Sequence, residues 1–201
     1  VTTSQDNILI CKANTVTSTA TSSITGDSHI VNASTNTSVM GNQNNVGNAN
    51  NSVIAGDENT VSFATHSFIT GKENSETSGS GNMIIGKENT TINADNTIVS
   101  GQFHNINNAD ESIFGGKSHL ATNIERTTMI GFGNQAVNVV DGLIGGNQNT
   151  VSNFVNNSIV YGESIQLNAG SAGPGKLKNN AVFGKEHAVT HETYQNIISG
   201  D

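Results

Sequence analysis

The sequence has no tryptophan, one proline, one cysteine (Cys11) and one arginine (Arg126). A lone cysteine excludes an intramolecular disulfide framework. Eight Lys and Arg stand against sixteen Asp and Glu, a net charge of −8. That balance lacks the cations that phosphate contacts need and argues against a nucleic-acid partner. Aromatic residues make up 4% of the chain and all hydrophobic residues 33%, too little for the thick core usual in a domain of this length. No apolar run is long enough to span a membrane as a helix, and no basic-then-apolar leader pattern opens the sequence. Scarce proline and a charged fraction of 12% also separate it from disordered chains, which are usually rich in both.

What is abundant is Gly, with 22 residues, and Asn. Both tolerate left-handed backbone conformations and so favour tight turns. Their spacing is regular. Ser52-Val53-Ile54-Ala55-Gly56-Asp57-Glu58-Asn59 returns as Ser67-Phe68-Ile69-Thr70-Gly71-Lys72-Glu73-Asn74, fifteen residues on. Anchored on its glycine, the echo runs through Cys11 (in place of Gly), Gly26, Gly41, Gly56, Gly71, Gly86, Gly101 and Gly116. Beyond these the anchors are read as Phe132, Gly146, Gly162, Gly184 and Gly200, at steps of 16, 14, 16, 22 and 16. Two positions before the anchors stand Leu9, Ile24, Val39, Ile54, Ile69, Ile84, Val99, Phe114, Ile130, Ile144, Val160, Val182 and Ile198, a column with no polar member. Three positions after them, Asn14, Asn44, Asn59, Asn74, Asn89 and Asn149 alternate with His29, His104, His119 and His187. Five after come Val16, Val31, Val46, Val61, Ile106, Val137, Val151, Leu167 and Val189, with Glu76, Thr91 and Ala121 as lapses.

A short fixed period of this kind means a solenoid, whose repeats bury their apolar faces only by stacking on their neighbours. Fifteen residues hold two strands of about five residues and two tight turns. A heptad coiled coil needs an apolar period of about 3.5, which is not there. The expected fold is therefore all-β: a parallel β-roll of about a dozen coils, each about 4.8 Å above the last. So thin a roll leaves apolar residues without a place inside. Three before the anchor, Val53, Phe68, Met83, Ile98, Ile113, Met129, Leu143 and Ile159 fall on the opposite strand face from the inward column. A long apolar stripe on a rod marks an interface, and self-association through it would make an obligate homo-oligomer.

Units such as Asn51-Ser52-Val53-Ile54-Ala55-Gly56, Asn82-Met83-Ile84-Ile85-Gly86-Lys87-Glu88-Asn89-Thr90 and Thr128-Met129-Ile130-Gly131-Phe132-Gly133-Asn134-Gln135-Ala136 resemble the head repeats of trimeric autotransporter adhesins of Gram-negative bacteria. The resemblance covers essentially the whole chain. Family heads commonly use coils near fourteen residues with a Ser-Val-Ala-Ile-Gly core; this chain uses fifteen, often with the small residue displaced by one position. The resemblance implies a left-handed roll, and it is the resemblance alone that implies the hand. It also implies a homotrimer, and a single head domain over residues 1–201, regular over about 5–120 and irregular over about 121–201. A stalk and an outer-membrane barrel would lie C-terminal to it. The function it implies is non-catalytic attachment of a bacterial surface to a host surface protein, to extracellular matrix, to another bacterium, or to an epithelial receptor such as a carcinoembryonic-antigen-related cell adhesion molecule.

Candidate contact residues come from where the period breaks. The 22-residue step predicts a loop of about seven extra residues within 168–178, with Ser171, Pro174, Lys176, Leu177 and Lys178 as its candidate receptor-binding residues. Insertions in repeat proteins tend to lie on one face and often serve binding; mere tolerance of an insertion is the plainer reading. Gly170 to Leu177 also approaches a phosphate-binding loop, but Leu177 stands where the magnesium-holding hydroxyl should be, and a strand pattern follows instead of a helix. The extra residue of the 116-to-132 step is placed near Glu125 and Arg126, a second candidate contact whose plainer reading is a surface ion pair. Gly131-Phe132-Gly133-Asn134-Gln135-Ala136 mimics a dinucleotide fingerprint outside any βαβ unit and is set aside.

His104 and His119 share one column and are expected to stack. No Cys, Asp or Glu repeats there, so no metal site is expected. Cys11 reads as a small buried filler. No G-x-S-x-G or H-E-x-x-H is present, and the acidic residues are expected mostly on solvated turns, so no enzyme and no cofactor is expected. An ice-binding solenoid would need a ladder of like residues. Thr15, Ile30, Asn45, Thr60, Ser75, Thr90, Asn105 and Leu120 do not make one. A polysaccharide-degrading β-helix would need clustered carboxylates in a groove.

Overall fold

The computed structural model describes residues 7–138, 140–148, 150, 152, 157–164, 166–167, 181, 183–185, 188–189 and 199–200. It divides into two compact units, Val1–Gln102 and Phe103–Asp201. Among the described residues every regular element is a β-strand and every strand pairing is parallel, fifteen residues apart for most of the chain. Each unit is a parallel β-solenoid.

In the first unit each coil carries a five-residue strand, as in Val53–Asp57, Phe68–Lys72 and Met83–Lys87, and a three-residue strand, as in Thr60–Ser62 and Ser75–Thr77. The long strands pair in one sheet and the short strands in another. A third side, one bridge wide, runs Ala20, Thr35, Asn50, Thr65, Ser80, Asp95. Three corners per coil hold it: Glu58, Phe63 and His66 in one coil, Glu73, Ser78 and Gly81 in the next, all with φ between 55° and 70°. Fifteen residues therefore close three sides, not only the two that the apolar columns suggest. Corner backbones with positive φ make this possible, and Asn takes many of these positions because it tolerates them best after Gly.

Only one residue of each long strand faces inward: Ile24, Val39, Ile54, Ile69, Ile84 and Val99, all fully buried. Opposite them sit Val16, Val31, Val46 and Val61, with Ala49, Ala64 and Ala94 closing the third side. The interior is narrow, so large Ile meets small Val and Ala across it and voids are avoided.

The second unit repeats this plan. Ile113–Lys117 pairs with Thr128–Phe132, then Leu143–Ile144, then Ile159–Val160, while Asn105–Asn107 pairs with Leu120–Thr122. Its register corrects the sequence reading at one point. Gly116 lies beside Gly131, not Phe132, and Met129 lies between Phe114 and Ile144. The step is fifteen residues on both sides, so neither the 16-residue step nor the 14-residue step exists. Met129 and Ala136 are the inward residues, in place of Ile130 and Val137, and Ile130 points out at 55% exposure. The outward stripe carries Thr128 where Met129 was expected. Alternation explains the error, since a slip of one residue exchanges the two faces of a strand. Further on, Gln166 pairs with Ala188, a step of 22 residues, as the spacing predicts.

Candidate interaction surface

The long strands turn two residues of each coil outward, on either side of the buried one. In the first unit these include Val53 and Ala55, Phe68 and Thr70, Met83 and Ile85, and Ile98 and Ser100. Phe68, Met83, Ile85 and Ile98 stand 38% to 41% exposed, too open for a core and too apolar for an indifferent surface. The second unit presents Ile113, Ile130, Leu143, Ile159 and Tyr161 in the same way. None of these outward positions in either unit holds Asp, Glu, Lys, Arg or His. Charge begins one residue past the anchor glycine, at the corner. There Lys72 lies within 3.9 Å of Asp57, 3.5 Å of Glu58 and 3.2 Å of Glu73, and Lys87 lies 2.8 Å from Glu88. Glu73 and Glu58 hold the Lys72 ammonium above its ordinary value. A charge-free apolar centre with a charged rim is the anatomy of a protein interface.

Behind this face two polar ladders run through the interior. Three after the anchors, His29, Asn44, Asn59, Asn74, Asn89, His104, His119 and Asn134 are buried. The Asn59 Nδ2 donates to the Gly71 carbonyl (3.0 Å) and to Asn44 Oδ1 (3.0 Å), while Asn59 Oδ1 accepts from the Asn74 backbone N–H (3.0 Å) and from Asn74 Nδ2 (3.1 Å). Asn44, Asn74 and Asn89 make the same bonds to the glycine carbonyls of Gly56, Gly86 and Gly101. Amide side chains thus bond both to a backbone N–H of the next coil and to a glycine carbonyl of its long strand. A second ladder lies four before the anchor. Ser52 Oγ accepts the Ser67 N–H (3.1 Å) and donates to the Asn50 carbonyl (2.9 Å), and Ser112 Oγ accepts the Thr127 N–H (3.2 Å). The sequence reading did not use this ladder, although its run of Ser22, Thr37, Ser52, Ser67, Thr97, Ser112 and Thr127 was the signal.

His29 replaces Asn with both ring nitrogens occupied: Nδ1 accepts from the Asn44 N–H (3.2 Å) and Nε2 meets the Thr25 carbonyl (3.2 Å). In the second unit His104 and His119 stack as their spacing predicts, with centroids 4.5 Å apart and planes 6° from parallel. His104 Nδ1 accepts the His119 N–H (3.3 Å), and His119 Nε2 lies 2.9 Å from the Gly115 carbonyl. Burial pushes the His119 imidazole below its ordinary value, against the opposing pull of that carbonyl. Its neutral form is therefore the one that fits the fold. Stability from it is present above the unfolded value, about 6.5, and is lost as pH falls through the lower folded value. Acidification from pH 7.5 to 5 is expected to raise hydrogen exchange around residues 104–122, and His119→Asn, the residue usual in this column, should flatten that response. An unchanged acid response in the variant would refute the assignment.

The candidate residues Glu125 and Arg126 are exposed. Glu125 bridges Asp110 on the third side, and Arg126 occupies a corner, with φ 47°. No residue is inserted there: Arg126 sits in the same place as Asn96 and Glu111, so the reason for singling it out is withdrawn. Arg126 pairs within the chain, Nε to Asp141 Oδ1 at 3.0 Å and Nη2 to Glu125 Oε2 at 3.4 Å. Ser171, Pro174, Lys176, Leu177 and Lys178, with the phosphate-loop likeness around them, lie outside the described residues, as do His187 and the side chain of Cys11. Among the described residues no group of three or more His, Cys, Asp or Glu could hold a metal ion.

One acidic residue departs from the expected solvated turns. Glu76 sits in the inward column that otherwise holds Val, between Val61 and Thr91, and is fully buried. Its Oε1 accepts from Ser67 Oγ (3.0 Å) and Asn82 Nδ2 (2.7 Å). Its Oε2 is buried with no partner. Burial pushes this carboxyl above the ordinary value, against the pull of the two hydrogen bonds.

Fold and surface together define a β-solenoid built from repeated coils, with largely apolar outward columns beside the buried residue of its long strands. Compared with protein families, curated proteins and solved structures, the chain matches none.

Proposed function

We propose that this chain is the binding head of a trimeric bacterial surface adhesin: a left-handed parallel β-roll that associates with two further copies and attaches to a host surface protein or to extracellular matrix. The observation that carries the reading is the pair of outward positions beside the buried residue of each long strand, largely apolar and without a charge among the described residues, in a chain with 24 charged residues (16 acidic plus 8 basic). Self-association would remove that face from water, worth roughly 25 cal/mol for each Å² of apolar surface buried. Three copies would also present three equal binding surfaces, so each contact with the target can be weak while the whole holds by avidity. Binding suits this surface, where exposed carboxylates such as Glu73, Glu88 and Asp141 are engaged in ion pairs. The resemblance of the repeats to adhesin heads supports the same reading.

Light scattering tests it. The expected mass is three times 20.9 kDa, unchanged on dilution, with Met83→Glu shifting the population to monomer because a carboxylate at the centre of the face cannot be desolvated cheaply. A well-folded wild-type monomer would refute self-association through this face and bring the ice-binding solenoid back into contention.

A further inference from the structure

Three inward columns of the first unit change together in one coil. Glu76 replaces the Val of Val46 and Val61, Gly79 replaces the Ala of Ala49 and Ala64, and Asn82 replaces the Ser of Ser52 and Ser67. The changes are geometrically linked. A Cβ on Gly79 would run into Glu76 Oε1 and Asn82 Nδ2 and meet the Ala94 carbonyl at 2.9 Å. Gly79 therefore makes the room that the Glu76 side chain fills. Asn82 supplies the donor to Glu76 Oε1, while its own Oδ1 keeps the ladder bond to the Thr97 N–H (2.9 Å). A random polar lapse would need none of these adjustments.

The carboxyl is half served. Among the described residues two donors reach Oε1, none reaches Oε2, and no Lys or Arg pairs with either oxygen. Val61 and Thr91 flank it from the neighbouring short strands. Among the described residues the charged group that acts on it is Asp95, on the third side, and its negative charge adds to the cost of ionising Glu76. A neutral carboxylic acid is accommodated here; a carboxylate is buried with one oxygen bare, which is expensive in a low-dielectric interior.

We propose that the coil around Glu76 is a pH-dependent release point in the first unit, closed when Glu76 is protonated and opening as the carboxyl ionises. This goes beyond the adhesin reading and does not depend on it. The sign follows from linkage. In the opened coil Glu76 titrates in the ordinary range, about 4.3, so the opened state loses its proton first. Above that range opening releases a proton, and the open population rises up to tenfold for each pH unit until the carboxyl ionises in the closed coil as well. Stability from this group is fully present at acid pH and declines toward neutral and alkaline pH, opposite to His119 of the second unit.

Hydrogen exchange of the full chain between pH 5 and 8.5 tests this, read as protection factors corrected for the intrinsic pH dependence of amide exchange. Protection over residues 75–93 should fall by tenfold or more across this range in the wild type and stay level in Glu76→Gln. The double variant Glu76→Val with Gly79→Ala restores the pattern of the neighbouring coils. It should be better protected than the wild type at pH 8 and insensitive to pH, and it carries the test if Glu76→Gln does not fold. Protection that is level with pH in the wild type, or that falls equally in both variants, overturns the proposal.

Discussion

Gly71→Ala is expected to abolish folding of the first unit, or to cost it more than about 4 kcal/mol, the range reserved for exceptional substitutions. Two effects combine at this residue. Its φ of +124° lies where a side chain is strained whatever space surrounds it. A Cβ there would also run into the Gly86 carbonyl oxygen and come to 3.0 Å from Asn74 Nδ2. Those two atoms are bonded to each other, Nδ2 to oxygen at 2.9 Å. The methyl group would thus fall on the hydrogen bond that joins the amide ladder to the long-strand sheet, and neither partner is free to move, because one is backbone and the other is locked in its own ladder. Gly56 faces the Gly71 carbonyl in the same way, so the penalty belongs to the column. Gly47→Ala is the matched control. Nothing lies within 4 Å of its Cβ position, and the exchange should stay within about 0.5 kcal/mol of the wild type. Circular-dichroism melts of the two variants check the contrast; comparable losses in both would mean that the glycine column is not held by this approach.

Asn59→Leu should cost on the order of 3–5 kcal/mol, although Leu is close in size and apolar. The substitution takes the Asn59 acceptor from the Asn74 N–H, a donor from the Gly71 carbonyl and both partners of its own ladder neighbours, and each buried polar group left unsatisfied costs about 1–3 kcal/mol. Asn59→His should cost less, since His29 in the same column accepts the N–H of the next coil through Nδ1 and satisfies its Nε2 on the carbonyl four residues back. Denaturant titration of the three proteins checks the order. If Leu proved as well tolerated as His, the ladder would be packing and not hydrogen bonding.

Both predictions concern columns that are visible in the amino-acid order, but their reasons are not. The fifteen-residue return of Gly, the apolar residue two before it and the Asn or His three after it can be read directly, because stacking forces equivalent residues to repeat. The stacking of His104 on His119 follows from the same logic. The Ser and Thr column four before the anchor was equally regular, but hydroxyls are common in turns and nothing in the spacing says that these ones point inward. The third side was hidden for a related reason: it is one bridge wide, and the polar residues on it, such as Thr35, Asn50 and Thr65, carry no apolar alternation. At residues 129–133 the order Met-Ile-Gly-Phe-Gly admits two registers. Only the neighbours Phe114 and Ile144 choose Met129 for the interior.

The sequence by itself determined that the chain is a parallel β-solenoid of fifteen-residue coils, that its core is thin, and that apolar residues would be left facing outward. These are properties of a period, and a period is local information repeated. Tertiary structure alone decided which of two adjacent residues is buried at the slip, that three corners rather than two close each coil, and that the Glu76 carboxyl is enclosed while Gly79 makes room for it. Those outcomes depend on atoms fifteen residues away in sequence and one strand spacing away in space. A side chain faces in or out, and an oxygen finds a donor or does not, only once the coils above and below are in place.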